Sequence, residues 1–333
     1  MDPTLTRELG GTGVRVTQLG LGGAGFGNAA IAHEDATGAM AAAWDEGVRY
    51  FDTAPWYGCG LSEHRVGDGL RHLERSSYVL STKVGRLLRP PEEAPPGRAT
   101  GFEVRFDYGY DAVVRSYEDS IQRLMLPSID LAIVHDLDSG YHAPAERMDA
   151  HLARLVTGGW DALADLKRAG LIRAAGVGIN RLGLIPRFLE LFDVDFFLLA
   201  SPYTLMEQRA LDLELPMCER RGVGIVIGAV FNSGLLVTGD IPGATYDYRD
   251  PTPEERARVR RIHAVCERHR VPPAAAALQF PLGHPAVASV IPGALAPAHV
   301  RENVAHFRQP IPDGLWDELR HEGLIREDAP LPS

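Results

Sequence analysis

The chain has 333 residues, 45% of them hydrophobic and 23% charged, with a formal net charge of −10 at pH 7. That length suits two ordinary domains or one large α/β barrel, which typically needs about 250 residues, and either buries a sizeable core. The acidic balance disfavours binding to nucleic acid or an anionic membrane, which requires a basic face. Three cysteines without C-x-x-C spacing (Cys59, Cys218 and Cys266) make neither a disulfide framework nor a zinc knuckle and point to a reducing compartment.

The start, MDPTLTRELGG, lacks a basic end and an apolar stretch, so no secretory signal is read and a cytoplasmic location is expected. Residues 6–16 read as a short hairpin turning at Gly10-Gly11, placed to cap a barrel floor. A strand-like run at 16–21 precedes a helix-like 34–46, and a strand at 48–51 precedes a helix at 62–73 with Ser62 as candidate N-cap. The rhythm continues with strand 78–82 and helix 111–124, then strand 129–134 and helix 160–169. In the second half, strands 174–179, 196–199, 223–229 and 287–291 precede helices 182–191, 205–221, 253–269 and 298–306. The most apolar stretch, 223–237, is broken by Asn232, Ser233 and glycines and is too short to span a bilayer.

Eight strand-then-helix units without a clear linker predict one (β/α)8, or TIM, barrel domain over residues 1–333. Several strands are apolar throughout, as strands buried on both faces should be. Two stretches interrupt the rhythm on the strand-end face: 86–110, rich in Pro and Gly, and 136–151. Both are read as long loops that shape a pocket.

Asp52, Tyr57, Lys83 and His135 each sit at or just after the end of a strand-like run. Taken singly, each has an ordinary structural role: a turn cap, a packed aromatic, a solvated strand end, a hydrogen-bonded histidine. Delivered together to one barrel mouth, they assemble acid–base machinery. A free phenol titrates near 10, too high for efficient proton transfer at pH 7. A Lys83 ammonium close to Tyr57 favours the phenolate and lowers that value, with Asp52 holding the ammonium. His135, as a neutral imidazole, donates to a substrate oxygen. Trp56, beside Tyr57, is expected to wall the pocket. His64, His72, His263, His269, His284 and His306 show no metal-ligand spacing, so no metal is expected.

These residues lie in segments that resemble the aldo-keto reductase superfamily over nearly the whole chain. The segments are YFDTAPWYG at 50–58, STK at 81–83, IDLAIVH at 129–135 and IPGALAPAHVREN at 291–303. VGIN near Asn180, LLASPYTLMEQ near Tyr203 and FNSGLL near Ser233 look most like the aldose dehydrogenase branch, which includes L-fucose, D-threo-aldose and pyridoxal dehydrogenases. The resemblance implies hydride transfer between a nicotinamide coenzyme and a small sugar or aldehyde, with Tyr57 as acid/base and Trp56, Tyr57 and His135 against substrate. The alternatives it leaves are a pyridoxal 4-dehydrogenase, a general aldehyde reductase and a slow redox-sensing binding subunit.

The expected coenzyme contacts are Gly23, Asp52, Asn180, Ser233, Gly234, Leu235, Gly293 and Asn303, with backbone amides at 233–235 facing the pyrophosphate. The rival glycine signal, Gly20-x-Gly22-x-x-Gly25, is not followed at once by a helix, as a dinucleotide fingerprint would be. Where phosphate-preferring relatives carry fixed cations, this chain has Gly293, Ala294 and His299, so NAD is favoured; Arg301 keeps NADP open. Ala200 and Gly228 replace the family's carboxamide-binding glutamine and ring-stacking aromatic.

Overall fold

The computed structural model describes residues 1–91, 101–247 and 249–332. In chain order its strands are β1 (Thr6–Glu8), β2 (Arg15–Thr17), β3 (Leu21–Gly22), β4 (Tyr50–Asp52), β5 (Val79–Val84), β6 (Arg86–Arg89), β7 (Glu103–Phe106), β8 (Leu131–Val134), β9 (Ala174–Ile179), β10 (Phe196–Ala200), β11 (Gly224–Gly228) and β12 (Val287–Val290). The helices are α1 (His33–Asp45), α2 (Leu61–Leu70), α3 (Tyr110–Leu124), α4 (Ala145–Arg154), α5 (Trp160–Arg168), α6 (Ile185–Leu191), α7 (Glu214–Arg221), α8 (Leu235–Thr238), α9 (Pro253–Arg268), α10 (Pro273–Gln279), α11 (Pro297–Arg308) and α12 (Asp313–His321). No helix of the described residues is long and apolar enough to cross a membrane.

Eight strands run parallel in the order β3, β4, β5, β8, β9, β10, β11, β12, which is also their order in the chain. The two edges meet through parallel bridges Leu19↔Val290 and Gly22↔Gly293, with Gly22 N–H donating to the Pro292 carbonyl at 3.0 Å. The sheet therefore closes into a (β/α)8 barrel. Its alternation sorts side chains into two apolar bodies. Leu80, Ala132, Val134, Val177, Phe197, Leu199 and Ile227 face the helices. Tyr50, Val79, Leu131, Ile133, Phe196, Leu198 and Val226 fill the interior. Gly176 faces the interior where the Phe196 ring lies: a Cβ there would come within 2.6 Å of it.

The hairpin β1–β2 adds Leu9, Val14 and Val16 to that interior body and seals the floor. Gly11 N–H donates to the Gly222 carbonyl at 2.9 Å. Gly10, at φ 58°, sits so near the turn between α7 and β11 that a Cβ would approach the Gly222 oxygen to 2.5 Å.

Several elements differ from the sequence expectation. The run 16–21 is divided between β2 in the floor hairpin and the two-residue barrel strand β3. Ser62 is not an N-cap; Gly60 occupies that position at φ 92°, and the Ser62 hydroxyl donates to the Gly23 carbonyl at 2.7 Å. The expected helix 205–221 is only α7 after a turn. Gln208 Nε2 ties back the carbonyls of Thr204 and Leu205, and Pro216 fits only a first helical turn. The helix at 182–191 starts at Ile185, after Gly183 at φ 89°. The stretch 86–110 forms the antiparallel pair β6–β7, apart from residues 92–100, which lie outside the described residues. The stretch 136–151 holds the start of α4.

Candidate active site

The side chains that point inward at the floor point inward again two or four residues later. From Tyr50 the same parity reaches Asp52; from Val79 it reaches Lys83; from Leu131 it reaches His135. From Phe196 and Val226 it reaches Ala200 and Gly228. These strand-end positions line one cavity of about 500 Å³ at the barrel mouth, together with Gly22, Trp56, Tyr57, Asp136, Tyr141, Asn180 and Gly293. Cavities at this end of a (β/α)8 barrel are the usual seat of its chemistry.

Lys83 and Asp52 are both buried, and the ammonium donates to Asp52 Oδ2 at 2.7 Å and to the Thr53 carbonyl at 2.9 Å. Ser81 donates to Asp52 Oδ1 at 2.7 Å, so both carboxylate oxygens are satisfied. The ammonium lies 4.7 Å from the centre of the Tyr57 ring. The Tyr57 ring meets His135 edge-on, with centroids 5.8 Å apart. The turn carrying Tyr57 packs on the first βα loop so closely that a Cβ on Gly27 would reach the Tyr57 carbonyl carbon at 2.4 Å. Arg65 pins that loop by donating to the Phe26 and Asn28 carbonyls at 2.7 and 2.9 Å.

Electrostatics correct one expectation. Burial raises the Tyr57 phenol and outweighs the lowering by Lys83, with Asp52 and Asp136 adding to the rise, so it stands at about 12. At that value Tyr57 is a neutral phenol at pH 7. Burial works against the Lys83 ammonium, yet Asp52 and Tyr57 hold its pKa above the ordinary value. Burial and then the Arg86 cation push His135 down to about 3, against the opposing pull of Asp136. A neutral His135 is the form able to donate one hydrogen bond while carrying no charge.

The remaining expected contacts divide. Asn180 and Gly293 line the cavity, and Asn180 is anchored by Asp138, whose Oδ2 accepts from its backbone at 2.9 Å and its amide at 3.2 Å. Gly23 lies just behind the wall that Gly22 and Ala24 make, its N–H donating to the Asp52 carbonyl at 2.7 Å. A Cβ on Gly23 would come within 2.7 Å of that oxygen. Ser233, Gly234 and Leu235 lie outside this cavity. The N–H groups of Gly234 and Leu235 close turns onto the Phe231 and Asn232 carbonyls rather than facing outward. Asn303 lies on α11, against a narrow crevice with Leu19 and Pro292, and its amide points to the Gly293 carbonyl at 3.4 Å.

Three charged residues at the mouth, Arg86, Asp136 and Asp138, went unread in the sequence, as did Tyr141. The Arg86 side chain is wholly buried and its guanidinium donates to Asp136 Oδ2 at 3.1 Å. A charged residue in a polar stretch is ordinarily exposed, so composition carries no sign of this.

Residues 18–321 match the aldo/keto reductase family. Pyridoxal 4-dehydrogenase of Microbacterium luteolum is 44% identical, over 96% of this chain and 97% of its own. D-threo-aldose 1-dehydrogenase of a Pseudomonas species is 39% identical, over 94% and 96%. Among solved structures, an aldo-keto reductase from Bacillus halodurans superposes with a TM-score of 0.76 at 23% identity, covering 97% of both chains.

Proposed function

Because the chain belongs to the aldo/keto reductase family and is an oxidoreductase, we propose that it oxidises the C1 hydroxyl of an aldose-type hemiacetal to a lactone with NAD. The whole chain is read as one barrel domain serving that reaction. The observation that carries the reading is the buried Asp52–Lys83 pair set against the Tyr57 ring beside a neutral His135, all in one cavity.

The wall opposite these groups fits a flat heterocycle. Gly22, Ala200, Gly228 and Gly293 present almost no side chain, and paired positions Ala200 and Gly228 stand where bulkier residues would narrow the cavity. A nicotinamide coenzyme bound there supplies the hydride acceptor. Asn180, its amide anchored on Asp138, keeps its carbonyl oxygen for the carboxamide. Asp52 and Gly293 would border the ring, and of the other expected contacts Ser233 and Asn303 would hold the rest of the dinucleotide, since the N–H groups of Gly23, Gly234 and Leu235 already donate to backbone carbonyls.

Tyr57 takes the hydroxyl proton from substrate at its phenol oxygen, and Lys83 stabilises the phenolate that must precede this step. His135 donates to the same substrate oxygen and orients it, and Trp56 walls the substrate side. A cationic coenzyme ring bound beside Tyr57 would favour its phenolate and so assist the proton transfer. In the reverse direction the neutral phenol is already the competent acid.

Gly293, Ala294 and His299 lack the fixed cations that a 2′-phosphate requires, which favours NAD. His299 Nδ1 instead accepts the Leu295 N–H at 3.3 Å. A second reading, oxidation of pyridoxal, is favoured by the 44% identical relative and by the aromatic wall of Trp56 and Tyr141. Initial rates with L-fucose, D-arabinose, pyridoxal and benzaldehyde, each with NAD and NADP, test these readings. Turnover of a sugar with NAD supports the first, and pyridoxal alone the second. No turnover of any of them overturns both.

A further inference from the structure

Asp136 follows His135 at the mouth end of β8. Its backbone is left-handed, at φ 41°, a conformation that costs a non-glycine residue energy and gathers at functional sites. Its carboxylate lines the cavity. Oδ2 is occupied, by Arg86 Nη2 at 3.1 Å and by His135 Nε2 at 3.3 Å. Oδ1 accepts no hydrogen bond from any described residue and is not buried out of reach.

The Arg86 side chain has no exposed surface, and its Nε and Nη1 have no hydrogen-bond partner among the described residues. Its guanidinium carbon lies 4.4, 4.7 and 5.4 Å from the ring centres of Tyr141, Trp56 and Phe106. A cation enclosed by aromatic faces, with one carboxylate as its only charged partner among the described residues, holds that carboxylate still. Oδ1 is then an acceptor whose ordering is complete before any ligand arrives.

Resting on the reading above, we propose that Asp136 is a specificity-determining residue: Oδ1 accepts a hydrogen bond from a second substrate hydroxyl close to the reacting carbon. His135 Nε2 lies 3.3 Å from Asp136 Oδ2, which sets the carboxylate beside the group that meets the reacting oxygen, within reach of a hydroxyl on the neighbouring carbon. When the substrate oxygen takes the single N–H of neutral His135 away from Oδ2, Arg86 still holds Oδ2, and the adjacent hydroxyl meets Oδ1. An aldose carries such a group at C2, and pyridoxal carries one on the ring carbon next to its aldehyde. The cavity thereby selects hydroxylated carbonyl compounds over plain aldehydes.

The test compares D-arabinose with 2-deoxy-D-ribose, and pyridoxal with its 3-O-methyl ether, in wild type, Asp136→Asn and Asp136→Glu. A hydrogen bond to a charged acceptor discriminates by about 10- to 100-fold, so wild-type kcat/KM favours the hydroxylated member of its active pair by that factor. In Asp136→Asn that ratio falls towards unity, chiefly through KM of the hydroxylated member. Asp136→Glu restores part of the ratio. Thermal unfolding of each variant checks that the barrel is retained. A wild-type ratio near unity overturns the proposal, as does a ratio unchanged in Asp136→Asn while both members slow alike. Failure of wild type to turn over any of the compounds removes the parent reading and this one with it.

Discussion

The floor and the mouth of the barrel use the same inward-facing strand positions to opposite ends. At the floor these are Tyr50, Val79, Leu131, Phe196 and Val226, closed over by Leu9, Val14 and Val16 of the hairpin. At the mouth, two to four residues further along, they are Asp52, Lys83, His135, Ala200 and Gly228. Geometry does not separate the two layers. What separates them is that every charge in the upper layer has its partner within hydrogen-bond reach, while the lower layer carries hardly any polar group. An interior of this kind tolerates ionised groups only as completed pairs.

The sharpest way to break that contrast is Lys83→Met. It leaves Asp52 as a buried carboxylate with no cation, so a loss of about 3–5 kcal/mol in unfolding free energy is expected, together with loss of turnover. Urea denaturation reads the first and steady-state assay the second; an unaltered midpoint would refute the pairing argument. Leu131→Ala breaks the floor instead. It costs about 2–5 kcal/mol of stability through the cavity it leaves, while kcat of the folded fraction stays near wild type. A Leu131→Ala protein that is stable but slow would mean that floor and mouth are coupled.

Tyr57→Phe isolates the proton step. Turnover falls by about 10²- to 10⁴-fold, while coenzyme binding, followed by fluorescence titration, is retained. The pH profile sharpens the same point. The phenol is raised to about 12, so the phenolate fraction grows with pH. Below the titration of the loaded enzyme, oxidative kcat/KM climbs about tenfold per pH unit. It then levels on the alkaline side, and reduction declines there. A flat oxidative profile between pH 6 and 9 excludes Tyr57 as the base. Smallest is Ser62→Ala, which removes the bonds to Gly23 and Thr53 and costs about 1 kcal/mol, measured as a small drop in thermal midpoint.

The strands and the gathering of Asp52, Lys83 and His135 at one mouth were readable because each is a short-range pattern: an apolar run followed by an ionisable residue at the parity that points inward. Boundaries failed where a local tie overrode the pattern, as Gln208 does in shortening the helix to α7. The β6–β7 pair was hidden because Arg86 and Arg89 flank only two apolar residues, and α4 because Pro144 sits at its start in a polar stretch. Arg86 and Asp136 could not be read at all. Burying an arginine depends on rings from three separate segments, and a positive φ at an aspartate leaves no compositional trace. The lowering expected for Tyr57 missed the desolvation of the phenol, which depends on how deeply the mouth encloses it.

The alternating layers make each strand a ruler, graduated from the hairpin upward. Inserting one residue anywhere between Val79 and Lys83 would rotate the ammonium out of the barrel and into the helical shell, where Leu80, Ala132 and Val134 pack. Strand length in this protein is therefore held to single-residue tolerance. The helices and outer loops can lengthen or shorten freely, so divergence among its relatives should concentrate there.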